Sequence, residues 1–532
     1  MEKSQVTSSN TTKQNQRIQE LELENESLRV KVAWLEGQFR LKTQKEFGAS
    51  SEKLSADQLQ LPLFNEVEAI VASTDEEPTE EGDKASLKKR RQRQSLNKSL
   101  PVKIVTYSLS ESERTCLCCG KQIHAMKTEI RREIEIIPAQ VHVTEHRQEV
   151  YACRTCEREG IETPITKAAA PNPVLPKSMA SPSALAYVFV QKYQAGLPLY
   201  RIEEQFKQLE ASISRQTLSN WIIAATGRWI APLYELMRET LLDQKVLHAD
   251  ETSIQVLREP GKNASSDSYM WLFRTGRAGP PCVLFNYQTT RAAKHPKRFL
   301  EGFKGTLHAD GYKGYDGLPG VTLSGCWAHA RRYFVDAKRS APKNIESSPT
   351  LTDEAIARIG AFYQVEKKIN ELEKKTGIYD PEIRLQIRQE KTLPLVTSFY
   401  AWLKTIRPQV VPKSPLGKAV TYALNQEKKL MQPFFDGCLD LDNNLAERSI
   451  KPFVIGRKNW LFSNTPKGAE TSAMAYSLLV TAKENQLNVL AYLTHLFNSL
   501  PNLELTDREE VRKYLPWAAE LPASCRLQTD SE

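Results

Sequence analysis

The apolar and polar positions of the chain fall into stretches of different period. Over residues 14–43 the repeat is seven. Ile18, Asn25, Val32 and Phe39 occupy one seam position, Leu21, Leu28 and Leu35 the other, and Glu20, Glu22, Glu24 and Glu26 keep the remaining faces polar. So narrow a seam stays wet unless another helix covers it. The repeat predicts a two-stranded coiled coil, the alternative being one amphipathic helix packed on its own protein. Asn25 in the seam would pair with its counterpart and disfavour higher oligomers. Residues 44–101 have no sustained period. Acidic "TDEEPTEEGD" gives way to basic "KASLKKRRQRQSLNK", and blocks of like charge cannot fill a core, so this is read as a flexible linker.

Helical periodicity takes over at 166–235. "SPSALAYVFVQKYQAG" has a Ser-Pro start, and "LPLYRIEEQFKQLE", "ASI" and "SRQTLSNWIIAATGRWI" read as helix, short turn, helix, with Ser214 as the cap of the second. From 236 to 498 the pattern is mixed. "KVLHADETSIQVL" reads as two strands around a bend, and "YMWLFRT", "CVLFNYQTTR" and "FKGTLHAD" as further strands. Long helical patterns at 351–408 predict a helical insertion near 345–430, and 469–498 is helical and apolar on one side. Residues 499–532 read as a C-terminal tail. The fold class expected is a multidomain α+β protein.

A length of 532 residues and a mass of 60.4 kDa suggest roughly three or four folded units. The net charge of +9 is a weak pointer to nucleic acid; its placement says more. Residues 84–98 hold seven Lys or Arg and no acid, so Lys88, Lys89, Arg90, Arg91 and Arg93 could neutralise phosphates without reading sequence, or form a solvated tail. No run approaches a membrane span and the start lacks a signal-peptide core, so a soluble, intracellular protein is expected. Of nine cysteines, Cys116 with Cys119 and Cys153 with Cys156 form two C-x-x-C pairs. With strand-like sequence between them they predict a zinc ribbon at 102–165, Cys118 being out of register. The four-thiolate set needs none of the nearby His124, His142 and His146.

"LHAD" occurs at 247–250 and again at 307–310. In strand geometry His248 and Asp250 share a face, as do His308 and Asp310, and each aspartate is expected at the end of an apolar strand. If the two strands are neighbours, the carboxylates project together, and a divalent ion such as magnesium relieves their repulsion; otherwise the echo is coincidence. "LDLDNNLAERSI" offers a third acid, Glu447, at the start of a helix begun by Asp440, Asp442, Asn443 or Asn444. Arg448, Lys451, Arg457 and Lys458 add positive charge beside it. In "GCWAHARRYFVDAKRS", His329 and Arg332 lie three apart on a predicted helix and either support the site or pack elsewhere. Arg384 and Arg388, four apart in the insertion, face DNA or solvent.

Taken together, "FGASSEK", the ribbon cysteines, "LPLYRIEEQFKQLEASISRQTLSNW", "HADET", "LHADGYKGY", "CWAHARRYF", "LDNNLAERSIKPFVIGRKNWLFSN" and "TAKENQLNVLAYL" occur in the order found in bacterial insertion-sequence transposases of the DDE type. The chain resembles the IS-sixty-six family over nearly its whole length. The resemblance implies an RNase H-like catalytic domain with Asp250, Asp310 and Glu447 holding Mg2+ or Mn2+, and His329, Arg332, Asn443, Asn444 and Arg448 are candidate supports. It also supports structural zinc and a DNA-binding role for the helical region, whose helix, turn and helix fit a helix-turn-helix with Arg215, Gln216, Ser219 and Asn220 available to a groove, the alternative being a helical hairpin that binds nothing. Arg457 and Lys458 are further DNA-contact candidates. The expected reaction is cleavage at the element's terminal inverted repeats and joining of the 3′ ends to target DNA. Expected partners are DNA, a second or further copies of the chain, and accessory proteins of the same element, with a place on the nucleoid in the bacterial cytoplasm. Two departures stand out: the ribbon opens "CLCC", and Glu210–Ala211 sits where a glycine-bearing turn is usual. The competing readings are a catalytically inactive DNA-binding protein and an RNase H-like nuclease without strand transfer.

Overall fold

The computed structural model describes Ile104 and residues 139–152, 158–160, 165–340 and 350–527. The expected coiled coil at 14–43, the basic cluster Lys88, Lys89, Arg90, Arg91 and Arg93, and Cys116, Cys119, Cys153 and Cys156 lie outside the described residues. Strands β1 (Val150–Ala152) and β2 (Ile165–Lys167) pair antiparallel ahead of the main body.

Four helices follow: α1 (Pro182–Phe189), α2 (Leu199–Gln208), α3 (Arg215–Ala225) and α4 (Ala231–Leu242). Ser181 and Ser214 cap α1 and α3 by accepting from Ala184 N and Thr217 N, leaving fewer of the first-turn amides unpaired. In the turn between α2 and α3, Glu210 takes a left-handed φ of 61°, a conformation glycine would adopt without strain. These helices share one apolar core with the sheet that follows. Tyr234 donates to Phe285 O at 3.0 Å, and Phe189 packs on Phe497 with ring centroids 5.6 Å apart.

The main sheet has the order β5-β4-β3-β6-β7. Strands β3 (Val246–Val256), β4 (Asp267–Thr275) and β5 (Val283–Gln288) run antiparallel, and β6 (Gly305–His308) and β7 (Val321–Ser324) extend the sheet in parallel. β3 is one continuous strand, not two strands around a bend. Its pairing with β4 persists from Leu247 to Gln255, which holds the backbone extended through the acidic "ADET". Asp250 therefore lies within a strand, two residues past the point where shorter β6 ends, and not at a strand end of its own.

Helix α5 (Lys294–Phe299) covers one face, where Phe299 stacks on Phe273 at 4.4 Å. Beyond β7 come α6 (Trp327–Ser340) and the insertion helices α7 (Leu351–Thr376), α8 (Pro381–Ile387), α9 (Leu393–Ile406) and α10 (Pro415–Asn425). A second core gathers around Trp327, Phe362, Phe399 and Phe434. Arg384 and Arg388 face neither DNA nor solvent. Both are buried, paired with Glu366, while Arg384 also meets Glu373.

The chain returns to the sheet with α11 (Asn444–Trp460), the two-residue strand β8 (Phe462–Ser463), α12 (Pro466–Glu484) and α13 (Val489–Ser499). β5 is an edge strand, and edges expose unpaired amides and carbonyls. Here α12 supplies their partners: Ser477 accepts from Phe285 N, and Thr481 bonds both Val283 N and Val283 O. The expected tail at 499–532 is ordered as far as it is described. Val511, Leu515, Leu521 and Cys525 are buried in the main core, and Arg526 bridges back to Leu487.

Candidate active site

The parallel pairing of β3 with β6 sets Leu247 beside Leu307 and His248 beside His308. The repeated tetrapeptide is thus two neighbouring strands in register, and Asp250 and Asp310 stand two residues beyond the last registered pair. The two imidazoles stack with centroids 5.0 Å apart and planes 9° from parallel, and both rings are buried. Burial pushes His248 down to about 4 and His308 well below the usual imidazole range, so both rings are neutral near pH 7.

Cross-strand neighbours share a face. Asp250 lies opposite Leu272 and His248 opposite Arg274, placing all four on the side covered by α11. Arg274 fastens that helix to the sheet: its Nη1 donates to Ser449 Oγ at 2.6 Å and to Glu484 Oε1 at 3.0 Å. Asn443, just before α11, holds the other end. Its Nδ2 donates to Ala249 O at 2.8 Å, so its Oδ1 faces His248 Nδ1, 2.9 Å away, and the neutral ring carries its proton there. Asp442, one residue ahead of the N-cap Asn443, accepts from Asn444 N at 3.1 Å, while Asn443 itself makes no side-chain cap bond; burial pushes the Asp442 carboxyl up to about 7. Glu447 falls in the first turn, as its spacing predicted.

The acids converge electrostatically. Burial first, then the charges of Glu251, Glu447 and Asp310, raise Asp250 well above the usual carboxylate range, against a hydrogen bond from Glu251 N. Asp310 accepts from Tyr312 N at 2.9 Å. Gly311 leaves space for its neighbour: a Cβ there would lie 2.9 Å from the Tyr422 ring of α10. Glu251 projects from the opposite face, opposite Trp271, and is bound by Arg291 and by Tyr315 Oη at 2.6 Å.

α6 reaches the same place. Trp327 N donates to Leu441 O at 2.9 Å, tying its start to the loop before α11. His329 Nδ1 then lies 3.7 Å from Glu447 Oε1 and Arg332 Nη2 3.8 Å from Glu447 Oε2. Burial, assisted by the Arg332 charge, lowers His329 from the ordinary imidazole value.

The other candidates are dispersed. Arg215, Gln216 and Asn220 are exposed on α3 with Ser219 partly covered, and Gln216 donates to Asn220 Oδ1 at 3.1 Å. Arg448 and Lys458 are exposed on α11. Arg457 is turned inward and bonded to Thr252 Oγ1 at 3.0 Å and to Ser253 O, so it is spent on β3 and not free for DNA. Sequence reasoning missed Arg274, Asn443 as the His248 partner, and Glu484. The one available signal was a lone arginine closing the apolar run "YMWLF".

A sequence model of the family described as "Transposase IS66 family" matches residues 177–471, from α1 through the site to α12. The chain belongs to the IS66 transposase family. Two further family models match this transposase: the "zinc-finger binding domain of transposase IS66" at 113–157 and "Transposase C of IS166 homeodomain" at 34–105. It therefore carries zinc-binding and DNA-binding domains ahead of the body described above. It is similar to the uncharacterized protein y4jD of Sinorhizobium fredii (strain NBRC 101917 / NGR234), 28% identical over 92% of this chain and 94% of the relative. The uncharacterized protein y4hP of the same strain is 26% identical over 88% of this chain and 86% of the relative. Among the described residues no helix is long and apolar enough to cross a membrane.

Arg332 gives a direct check on the site of this transposase. Its side chain is 49% exposed, so Arg332→Ala should change stability by no more than about 0.5 kcal/mol. DNA cleavage should fall on the order of a hundredfold, as when one preorganised donor to a reacting oxyanion is removed. A melting curve and an end-cleavage assay on the same preparation measure both; unchanged cleavage removes Arg332 from the site.

Proposed function

We propose that this transposase cuts DNA at the ends of its insertion sequence and joins the freed 3′ ends to target DNA, using Asp250, Asp310 and Glu447 as its acidic set. The observation that carries this reading is the in-register pairing of the two LHAD strands beside the α11 start, where Glu447 and Asp310 raise the proton affinity of Asp250. Half-buried carboxylates that crowd one another form a hard-oxygen donor set suited to Mg2+ or Mn2+. Bound there, such cations activate the attacking oxygen and stabilise the leaving one.

The chain's own residues hold the set in place. Asp250 reaches the site from within β3, Asp310 from two residues past the end of β6, and Glu447 from the helix pinned by Arg274 and Asn443. His329 and Arg332 flank the Glu447 carboxylate, and Arg332, half exposed, offers positive charge to a phosphodiester. Asn444, which opens α11, and Arg448, which follows Glu447 directly, are further supports. The antiparallel meander continued by two parallel strands supports an RNase H-like core at 236–498 with a helical insertion near 345–430.

The remaining parts act on DNA and on a second copy. A coiled coil at 14–43 pairs two chains, which larger synaptic assemblies extend. Zinc held by Cys116, Cys119, Cys153 and Cys156 folds the ribbon at 102–165. Phosphates meet Lys88, Lys89, Arg90, Arg91 and Arg93 of the 44–101 linker, and Arg215, Gln216, Ser219 and Asn220 of the 166–235 helices approach a groove. Lys458 extends the basic surface. The bacterial nucleoid is the site of action, with accessory proteins of the element as further partners.

The test mixes purified full-length protein with labelled terminal inverted repeats, supercoiled plasmid and Mg2+. Labelled ends covalently joined to plasmid are the expected product. DNA binding without nicking would leave an architectural protein, and RNA cleavage without joining would leave a ribonuclease.

A further inference from the structure

Cys326 precedes α6 directly, buried, with Asn443 N pointing at its Sγ from 3.2 Å. One turn on, His329 places its Nδ1 3.7 Å from Glu447 Oε1, and Arg332 lies on the other carboxylate oxygen. The Cys326 Sγ, a ring nitrogen of His329 and a carboxylate oxygen of Glu447 all lie within 4.8 Å of one another. His329 Nδ1 and Glu447 Oε1 are each buried without a hydrogen-bond partner. Three donors of different softness therefore face one small volume, and two lack any other bond.

This set differs in kind from the acids that suit magnesium. Magnesium takes hard oxygen ligands, whereas sulfur, imidazole nitrogen and one carboxylate are donors of zinc and its thiophilic relatives. Bonds of that kind, about 2.0–2.3 Å long, hold tetrahedral donors roughly 3.5 Å apart, and the His329–Glu447 separation is already close to this.

We propose that Cys326, His329 and Glu447 form a second metal site, selective for Zn2+ or Cd2+, whose occupation withdraws Glu447 from the acidic set and stops DNA cleavage. The metal–sulfur bond forms as the thiol proton passes to solvent, and water fills the fourth position. The inhibitory consequence rests on the role proposed above for Glu447; the binding itself does not.

Cadmium binding to the full-length, zinc-loaded protein tests the site, read by the ultraviolet absorption of cadmium–thiolate bonds. Compared with the parent, Cys326→Ser should lose one cadmium equivalent and the thiolate absorption that belongs to it. His329→Gln, which keeps the thiol, should need at least about tenfold more cadmium to fill that equivalent. In the cleavage assay with Mg2+, Cys326→Ser should match the parent when no zinc is added and resist added Zn2+ that silences the parent. Identical cadmium titrations for the parent and both variants would overturn the site. Loss of the cadmium equivalent with equal zinc inhibition of parent and Cys326→Ser would overturn the inhibitory role alone. If the parent cleaves no DNA at all, the cadmium arm still decides the site, and only the function proposed above fails.

Discussion

Asp250→Asn is expected to end DNA cleavage and, without divalent cations, to make the protein more stable than its parent. The two effects share one cause. Asp250 is half-buried beside Glu251, Glu447 and Asp310, and desolvation together with their charges makes its own charge unfavourable. The amide keeps the shape and the acceptor toward Glu251 N while removing that charge. A gain of about 1 kcal/mol is the size typical when a strained functional group is relieved, corresponding to about 2–4 °C in melting temperature for a domain of 150–250 residues. Adding Mg2+ should reverse the order, because an ion that binds only the folded parent stabilises it by mass action. Cleavage should fall about 10⁴-fold or more, since members of a catalytic set that act as a unit fail together. Melting curves with and without Mg2+, and end-cleavage rates, measure these outcomes. Normal strand joining by the variant would remove Asp250 from the set, and an unchanged melting temperature would mean that its charge is already compensated.

The echo of LHAD was legible because parallel neighbours in register repeat the same environment: a buried leucine, a ring under the acid, a small residue, then the carboxylate. The length of β3 was not legible. "ADET" looks like a bend when its polarity is read locally, yet Asp250 lies beside α11 while Glu251 is satisfied by Arg291 and Tyr315 on the other face. The Glu447 helix was visible from its run of start signals, although Asn443 at the N-cap turns its side chain to β3 and the first amide of the helix goes to Asp442. Arg457 read as a surface cation because its partner is remote in sequence; Thr252 lies 205 positions away. Arg384 read as one although Glu373 and Glu366 lie only 11 and 18 positions off, because helical spacing does not show that the two helices fold back on each other. The packing of Leu521 and Cys525 was hidden for another reason. A few scattered apolar residues near a terminus carry no periodicity, and only the groove they enter gives them a place.

The helices between β7 and α11 join the candidate site through buried charge, and Arg388 is where that connection is most exposed to failure. Its guanidinium is wholly buried: Nε and Nη2 donate to the two oxygens of Glu366, and Nη1 donates to Pro433 O at 3.1 Å and Leu439 O at 2.7 Å. Glu366 also binds Arg384, which faces Asp440 at 3.7 Å. Asp440 in turn meets Arg277 at 2.8 Å and lies 3.9 Å from His248, the ring beneath Asp250. Arg388→Ala removes one cation and leaves two carbonyls and part of Glu366 unpaired in a dry interior. Breaking a buried pair from one side costs about 3–5 kcal/mol, because the remaining group keeps its desolvation penalty and loses its partner. Denaturant melts should show that loss, and cleavage should fall with it as the Asp440–Asn443 segment loosens. Replacing Glu366 and Arg388 together by leucine should recover most of the stability, since an apolar pair strands no charge, while Arg384 keeps Asn370, Glu373 and Asp440. A loss below about 1 kcal/mol in Arg388→Ala would mean that water reaches this interior and that the insertion is held to the catalytic sheet by its aromatic core alone.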